Sequence, residues 1–263
     1  MTSPLLEITD VTSAYGRRTV VDDVSVRVHP REIVALVGAN GSGKSSLLRT
    51  AAGLLPPLAG RVLIGGTEVR SLPARERARR LALLPQSPST PEGITVRELV
   101  AQGRFAHRSA LRRPTAADAA AVSDALDLTG LTTLADRAAE ALSGGERQRA
   151  WIAMTLAQDA PLILLDEPTT FLDLGHQLEL LELLARLRDR GIGVLVVLHD
   201  LAHAGRFADR IVVLAGGRIV ADGPPAEVIT VDLVETRFGA TGSVIAHADG
   251  RVDFLATASA RRR

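Results

Sequence analysis

The sequence predicts an α/β fold whose central sheet is mainly parallel. Short apolar runs at 33–37, 162–165 and 194–198 suit strands that are buried on both faces. Helical patterns separate these runs, and strands that alternate with helices indicate parallel strands joined by crossover helices. From about residue 87 to residue 157, an alanine-rich helical pattern replaces the β-branched runs. We interpret that stretch as a helical lobe inserted into the α/β core.

The remaining strands are predicted from alternation and from turn residues. Segments 5–11 and 25–28 alternate apolar and polar side chains, and residues 81–84 form another short apolar run. Three hairpins are expected where glycine-containing pairs separate extended segments. They are 61–70 about Gly65-Gly66, 211–221 about Gly216-Gly217, and 244–255 about Asp249-Gly250.

Two helices of the core are predicted from their apolar faces and their ends. The first helix ends at Pro56-Pro57 and places on one face Leu47, Leu48, Ala51 and Leu55. The second has Gly191 as its C-cap and places on one face Leu180, Leu181, Leu184 and Leu187. Within the lobe, Pro114 is expected in the first turn of a helix and Trp151 in the core.

The composition excludes several classes of protein. The chain has 263 residues, of which 46% are hydrophobic, so it is long enough to bury a substantial core. A net charge of +1 gives no reason to expect nucleic-acid binding. The absence of cysteine excludes disulfide frameworks and thiolate metal sites. No apolar run approaches the roughly 20 residues of a membrane helix, and no signal peptide is predicted, so we expect a cytoplasmic protein.

A phosphate-binding motif occupies residues 38–45, Gly-Ala-Asn-Gly-Ser-Gly-Lys-Ser, which fit G-x-x-x-x-G-K-[ST]. It lies between a predicted strand and a predicted helix, as a P-loop requires, and its N–H groups can cradle phosphates. We expect Lys44, the only lysine of the chain, to reach the β- and γ-phosphates of ATP, and Ser45 to bind Mg²⁺. The alternatives are an ordinary glycine turn or a dinucleotide site, but G-x-G-x-x-G is absent.

Two carboxylates end the apolar run 162–165, at Asp166 and Glu167. Taken alone, this pair is equally consistent with a solvated strand end. In a chain that has a P-loop, Asp166 is expected to hold Mg²⁺ and Glu167 to act as the general base on the attacking water.

Residues 142–149, Leu-Ser-Gly-Gly-Glu-Arg-Gln-Arg, fit the capped start of a helix, with Glu146 in a capping box. Ser143 and the two glycines also offer a hydroxyl and open N–H groups, which would suit a second phosphate site. One chain that binds one nucleotide does not need two such sites, whereas a head-to-tail pair does. Together with the P-loop, this segment resembles the nucleotide-binding domains of ABC transporters, and the resemblance extends over about 5–239.

The resemblance implies a P-loop NTPase (RecA-like) core, an N-terminal antiparallel β subdomain and an inserted α-helical lobe. It implies a single nucleotide-binding domain over residues 1–240, followed by a C-terminal hairpin and tail at 241–263. The partners implied are a second copy of the chain, transmembrane permease subunits and, indirectly, a substrate-binding protein, with no nucleic acid. The implied location is peripheral, at the cytoplasmic face of the cell membrane.

The resemblance also assigns the residues of the site. The expected nucleotide cradle is Gly38, Ala39, Asn40, Gly41, Ser42, Gly43, Lys44, Ser45 and Ser46. Tyr15 matches the aromatic that stacks on adenine, and Asp173 matches an aspartate that crosses the dimer interface. Ser143, Gly144 and Gly145 would complete the site of the partner copy. Glu167, His199 and Gln86 match the catalytic groups, and Gln86 would join Ser45 and Asp166 around Mg²⁺. Ala39 stands where proline is common, and Thr170-Phe171 where Ser-Ala is common, but neither departure removes a reactive group.

Two stretches, 91–107 and 168–177, look like the importers of iron chelates and cobalamin. They favour an ATPase that powers the uptake of a ferric siderophore. The alternatives are an ABC ATPase for haem, cobalamin or another solute and, more remotely, a non-transport ABC ATPase. His107 and His176 lie in these stretches but lack the spacing of metal ligands, so we expect no metal site there.

Overall fold

The computed structural model describes residues 3–86, 88–108 and 114–259. Its central sheet consists of β3 Ile33–Val37, β6 Leu81–Leu84, β7 Leu162–Asp166, β8 Gly193–Val197, β9 Arg210–Ala215 and β10 Arg218–Gly223. The strand order is β10-β9-β3-β8-β7-β6, and all neighbours are parallel except the antiparallel pair β9 and β10. The predicted α/β fold with a mainly parallel sheet is therefore confirmed.

Both faces of this sheet are covered by apolar side chains. Along β3, Ile33, Ala35 and Val37 join the core on one side of the sheet, whereas Val34 and Leu36 join the core on the other. This alternation follows from the period of two along a strand, and it explains why the run contains no polar residue.

A smaller antiparallel sheet with the order β2-β1-β4-β5 lies next to the P-loop. Its strands are β1 Leu6–Tyr15, β2 Arg18–Val28, β4 Ala59–Ile64 and β5 Thr67–Glu68. Strands β1 and β2 extend beyond the predicted segments 5–11 and 25–28, because their outer face is exposed and tolerates polar residues that weaken the apolar signal. The predicted hairpin about Gly65-Gly66 is formed by β4 and β5.

The two core helices differ from the prediction at their ends. Helix α1 spans Lys44–Ala51 and stops before Leu55, because Gly53 adopts a left-handed conformation (φ +70°) and ends the last turn. Helix α6 spans Leu174–Asp189 and buries all four predicted leucines. Its C-cap is Arg190, and Gly191 (φ +103°) follows one residue later, so the predicted C-cap was wrong by one position.

The helical lobe contains α3 Val96–Ala101, α4 Ala116–Leu128 and α5 Gly144–Ala157, and helix α2, Ala74–Arg80, precedes β6. Pro114 was predicted in the first turn of α4, but it lies one residue before the N-cap. The N-cap is Thr115, whose hydroxyl accepts a hydrogen bond from the N–H of Asp118. Trp151 is buried, as predicted, and donates its indole N–H to Thr90 Oγ1 at 3.3 Å. Ser87, the expected start of the lobe, lies outside the described residues.

The C-terminal part adds α7 Leu201–Phe207, the short helices α8 Pro225–Val228 and α9 Val231–Leu233, and the hairpin of β11 Ala240–Ala246 with β12 Val252–Ser259. The hairpin packs closely on α7, because a Cβ atom on Gly205 would lie 2.1 Å from the carbonyl oxygen of Val252. The expected arginine tail, 261–263, lies outside the described residues. Of the helices described, none is both long and apolar enough to cross a bilayer.

Candidate functional site

The P-loop connects the end of β3 to the start of α1 through backbone that only glycine tolerates. Gly38 and Gly43 have φ values of +149° and +108°. A Cβ atom would lie 2.2 Å from the Leu214 carbonyl oxygen at Gly38, and 2.3 Å from the Val20 carbonyl oxygen at Gly43. The loop is therefore held between β9 on one side and β2 on the other.

Lys44 is held inside this loop. Its Nζ donates to the carbonyl oxygens of Gly38 at 2.8 Å and Ala39 at 3.0 Å, and the residue is only 5% exposed. Burial lowers the pKa of the Lys44 ammonium, and the nearby charges of Glu167 and Asp166 oppose that shift. These contacts place the lysine ammonium at the P-loop cradle.

Ser45 and Asp166 form a pair of oxygen donors at the start of α1. Ser45 Oγ donates to Asp166 Oδ1 at 2.9 Å, and Asp166 is 3% exposed at the end of β7. Burial raises the pKa of Asp166, the hydrogen bond from Ser45 opposes this, and the charge of Glu167 raises it further. A hydroxyl beside a carboxylate is a donor set that suits Mg²⁺, which prefers oxygen ligands.

Glu167 lies at the centre of the site. Gln86 Nε2 donates to its Oε2 at 2.6 Å, and His199 Nε2 lies 2.6 Å from its Oε1. These three side chains follow β7, β6 and β8, which are neighbours in the parallel sheet, so their carboxyl ends meet at one edge. Glu167 has φ +54°, an uncommon conformation for a side-chain-bearing residue that often marks functional positions.

These groups surround a cleft of about 430 Å³. Its lining includes the loop from Asn40 to Ser46 together with Gln86, Glu167 and His199. Ser42 is buried, and its Oγ has no hydrogen-bond partner within the described ranges, so a group is available to meet a phosphate oxygen. The shape and donors of the cleft fit a nucleotide polyphosphate.

Sequence reasoning missed two residues of this cleft, Arg18 and Val20. Arg18 is exposed at the start of β2 and pairs in register with Tyr15, and its guanidinium has no partner among the described residues. The feature of the sequence that could have indicated Arg18 as a cleft residue is its position three residues after Tyr15, across a tight turn at Gly16. Val20 sits at a register shift in the β1–β2 ladder, which turns its carbonyl towards Gly43.

Eight of the predicted site residues do not line the cleft. Three of them, Gly38, Ala39 and Asp166, form hydrogen bonds with the lining residues Lys44 and Ser45, and the other five have different surroundings. Ser143 caps α5 in a capping box with Glu146, which is the simpler of the two interpretations, and Gly144 and Gly145 open that helix. Asp173 caps α6 by accepting the His176 N–H at 3.0 Å. Tyr15 is 46% exposed, and its hydroxyl accepts a hydrogen bond from Arg49.

His107 and His176, which lie in stretches 91–107 and 168–177, each have a polar contact with another residue of the chain. His107 Nε2 lies 2.7 Å from the carbonyl oxygen of Gln158, and His176 Nδ1 lies 2.8 Å from Asp173 Oδ1. Neither lines the nucleotide cleft.

The family model described as ABC transporter matches residues 21–170, which include the cleft-lining loop, the two carboxylates and the capped start of α5. The chain belongs to the ABC transporter family. As the ATP-binding cassette of this family, it binds ATP and hydrolyses it.

Named relatives of the ABC transporter family match most of the chain. The probable siderophore transport system ATP-binding protein YusV of Bacillus subtilis is 49% identical over 85% of this chain and 82% of its own. The ferric enterobactin transport ATP-binding protein FepC of Escherichia coli is 46% identical over 87% of this chain and 85% of its own. A bacterial ABC transporter cassette solved as a dimer matches with a TM-score of 0.75 and 28% identity, over 82% of this chain and 97% of that one.

Proposed function

We propose that this chain is the ATPase subunit of an importer for ferric siderophores. The cargo assignment rests on the sequence identity of 46–49% between this chain and two relatives that are named for siderophore or ferric enterobactin transport, over 85–87% of this chain. Stretches 91–107 and 168–177 support it, because they resemble the importers of iron chelates and cobalamin.

The P-loop binds the phosphates of ATP in this proposal. Its glycine backbone cradles the phosphate oxygens, the Ser42 hydroxyl meets one of them, and Lys44 turns from the Gly38 and Ala39 carbonyls to the β- and γ-phosphates. Ser45, Asp166 and the amide oxygen of Gln86 would hold Mg²⁺, since all three offer oxygen donors. Bound there, the metal supplies positive charge against the phosphates.

Glu167 acts as the general base. Its carboxylate accepts a proton from the attacking water as the water oxygen bonds to the γ-phosphorus and ADP leaves. Gln86 and His199 hold the two carboxylate oxygens at 2.6 Å each, which fixes the direction of the base. In this proposal His199 also contacts the γ-phosphate, so release of phosphate would change the contact between His199 and the Glu167 carboxylate.

The five residues that lie apart from the cleft belong, in this proposal, to the site of a second copy. Ser143, Gly144 and Gly145 are exposed or half-exposed at the N-terminus of α5, where N–H groups favour an anion. Two copies arranged head to tail would set each such helix start against the partner's nucleotide, with Tyr15 against adenine and Asp173 at the interface. The similar bacterial cassette that was solved as a dimer supports an assembly of two copies. Permease subunits, which a substrate-binding protein supplies with cargo, would hold the dimer at the cytoplasmic face of the membrane.

Uptake of radiolabelled cargo tests the proposal. A strain that lacks this chain should lose uptake of ferric siderophore, expression of the wild-type chain should restore it, and Lys44→Ala should not. Haem and cobalamin serve as the comparison cargoes. Wild-type uptake of ferric siderophores in the deletion strain would contradict the cargo assignment, and loss of haem or cobalamin uptake alone would reassign it.

A further inference from the structure

A second cleft lies between the helical lobe and the core, and it shares no lining residue with the nucleotide cleft. Its walls are the C-terminal end of α4, one face of α5 and one face of α6, and its volume is about 160 Å³. We call it the interlobe cleft, because α4 and α5 belong to the lobe whereas α6 belongs to the core.

The floor of the interlobe cleft is apolar. It is formed by Ile152 of α5 with Leu180 and Leu183 of α6, which are only 3–5% exposed and belong to one core cluster. A cavity of about 150 Å³ that is lined by leucine, isoleucine and phenylalanine holds one benzene molecule. The interlobe cleft therefore has the size and the floor to accept a single six-membered ring.

A guanidinium without a partner lines the same cleft. Arg149 of α5 forms no hydrogen bond or salt bridge with any of the residues described, and its Nε is closed off from solvent. The nearest carboxylates to feel its charge, Glu146 and Asp173, act as helix caps. A Cβ atom on Gly130, another lining residue, would lie 3.6 Å from Arg149 Nη1, so this nitrogen borders the cleft. Since enclosed polar groups are normally paired, Arg149 is available to an acceptor from outside the chain.

The charged groups of α6 favour a negative ligand. Glu179 lies one turn before Leu183 and Arg186 one turn after it, and both line the cleft but are exposed. The lining thus carries two guanidinium groups and one carboxylate. The positive charge that is least screened by solvent is that of Arg149, which is half-buried.

We propose that the interlobe cleft binds a small aromatic carboxylate, with its ring on Ile152, Leu180 and Leu183 and its carboxylate on the Arg149 guanidinium. An inorganic anion would leave the apolar floor uncovered, and a neutral ring would leave Arg149 unpaired, so a ligand that combines the two groups fits best. Because the ring contacts both α5 and α6, the bound acid joins the lobe to the core. The inference is independent of the cargo and of the assembly proposed above.

Benzoate is the probe that tests this site. It is titrated into the full, ¹⁵N-labelled chain without nucleotide, at constant ionic strength, and binding is followed by NMR through the backbone amide signals of Gly130 and Ile152. We expect a dissociation constant of about 1 mM, in the range open to so small a ligand. Benzyl alcohol, which lacks the charge, and acetate, which lacks the ring, should each bind at least about tenfold more weakly.

Three variants place the carboxylate. Arg149→Gln should weaken benzoate binding about tenfold or more, because it removes a charge-assisted hydrogen bond. Glu179→Gln should strengthen it about twofold or more by removing a like charge, a gain that misfolding cannot produce. Glu182→Gln is the matched control, because Glu182 is exposed on α6 outside this lining, and it should leave affinity within about 1.5-fold.

Three results would overturn the proposal. The first is the absence of saturable shifts at Gly130 and Ile152 up to about 20 mM benzoate. The second is equal binding of benzoate and benzyl alcohol, or of benzoate and acetate, which would mean that the cleft does not recognise the combination of ring and carboxylate. The third is equal benzoate affinity of Glu179→Gln and Glu182→Gln, which would place the carboxylate elsewhere.

Discussion

Replacement of Gly43 by alanine, compared with the same change at Gly41, tests how the P-loop is held. Both glycines have positive φ, +108° at Gly43 and +77° at Gly41, so both variants incur the cost of a left-handed alanine, about 1–2 kcal/mol. Only Gly43 faces a backbone neighbour, because its Cβ would lie 2.3 Å from the Val20 carbonyl oxygen, whereas nothing lies within 4 Å of a Cβ on Gly41. Relieving such a clash costs roughly 1–3 kcal/mol more.

Alanine lowers the conformational entropy of the unfolded chain relative to glycine, which favours the folded state equally in both variants, so this contribution cancels in the comparison. We therefore expect Gly43→Ala to lower the free energy of unfolding by roughly 1–3 kcal/mol more than Gly41→Ala. Urea titrations followed by far-UV circular dichroism, without nucleotide, measure this difference. Gly43→Ala should also lose ATP affinity in a filter-binding assay, because the loop must move away from β2. Equal free energies of unfolding for the two variants, within about 0.5 kcal/mol, would refute the contact between β2 and the loop.

Three other predictions concern charged groups. Arg18→Ala should weaken ATP binding about 3- to 10-fold, because it removes from the cleft a cation that has no partner among the residues the structure describes. Arg17→Ala, which changes a neighbour outside the cleft lining, should leave ATP affinity within about twofold, and equal losses of affinity would count against a contact between Arg18 and phosphate. Hydrogen bonds from the Thr115 N–H and hydroxyl, and then the Arg104 guanidinium, lower the pKa of Asp118 to about 2 from 3.8, so the stabilising contribution of this carboxylate is present above about pH 4 and is lost as the pH falls towards 2. In acid titrations followed by circular dichroism, Asp118→Asn should make the loss of stability between about pH 4 and 2 shallower. An unchanged slope would contradict this role of Asp118. Because Lys44 is the only lysine, modification by an amine-reactive reagent should abolish ATP hydrolysis, and MgATP should slow that inactivation. Inactivation at an unchanged rate in saturating MgATP would argue against the binding of the nucleotide phosphates by Lys44.

The parts of the fold that the sequence predicted well are those in which burial alone decides the structure. Strands β3 and β6 occupy the predicted segments 33–37 and 81–84, because nearly every side chain there is buried and apolar. Strands β1 and β2 were underestimated, since one face of each is exposed and carries polar residues. The end of α1 was missed because it depends on the left-handed conformation of Gly53, which outweighs the apolar pattern that continues to Leu55.

The residues of the candidate site also differ in how well the sequence alone predicts them. Lys44, Ser45, Asp166 and Glu167 lie in contiguous motifs whose position at strand ends follows from the topology of a parallel sheet, so sequence alone could predict them. Arg18 was not predicted as a site residue, because its position in the cleft depends on how the antiparallel sheet packs against the P-loop. The roles of Ser143 and Asp173 rest on resemblance and remain predictions, since within one chain both side chains act as helix caps.

Phosphate release by Glu167→Gln tests most directly the central claim that Glu167 is the base of this ATPase. Glu182→Gln is the matched control, because Glu182 is exposed on α6 and does not line the cleft. We predict that Glu167→Gln binds MgATP with wild-type affinity but releases phosphate at least about 100-fold more slowly, while Glu182→Gln keeps the wild-type rate. Phosphate release by Glu167→Gln at the wild-type rate would contradict the account.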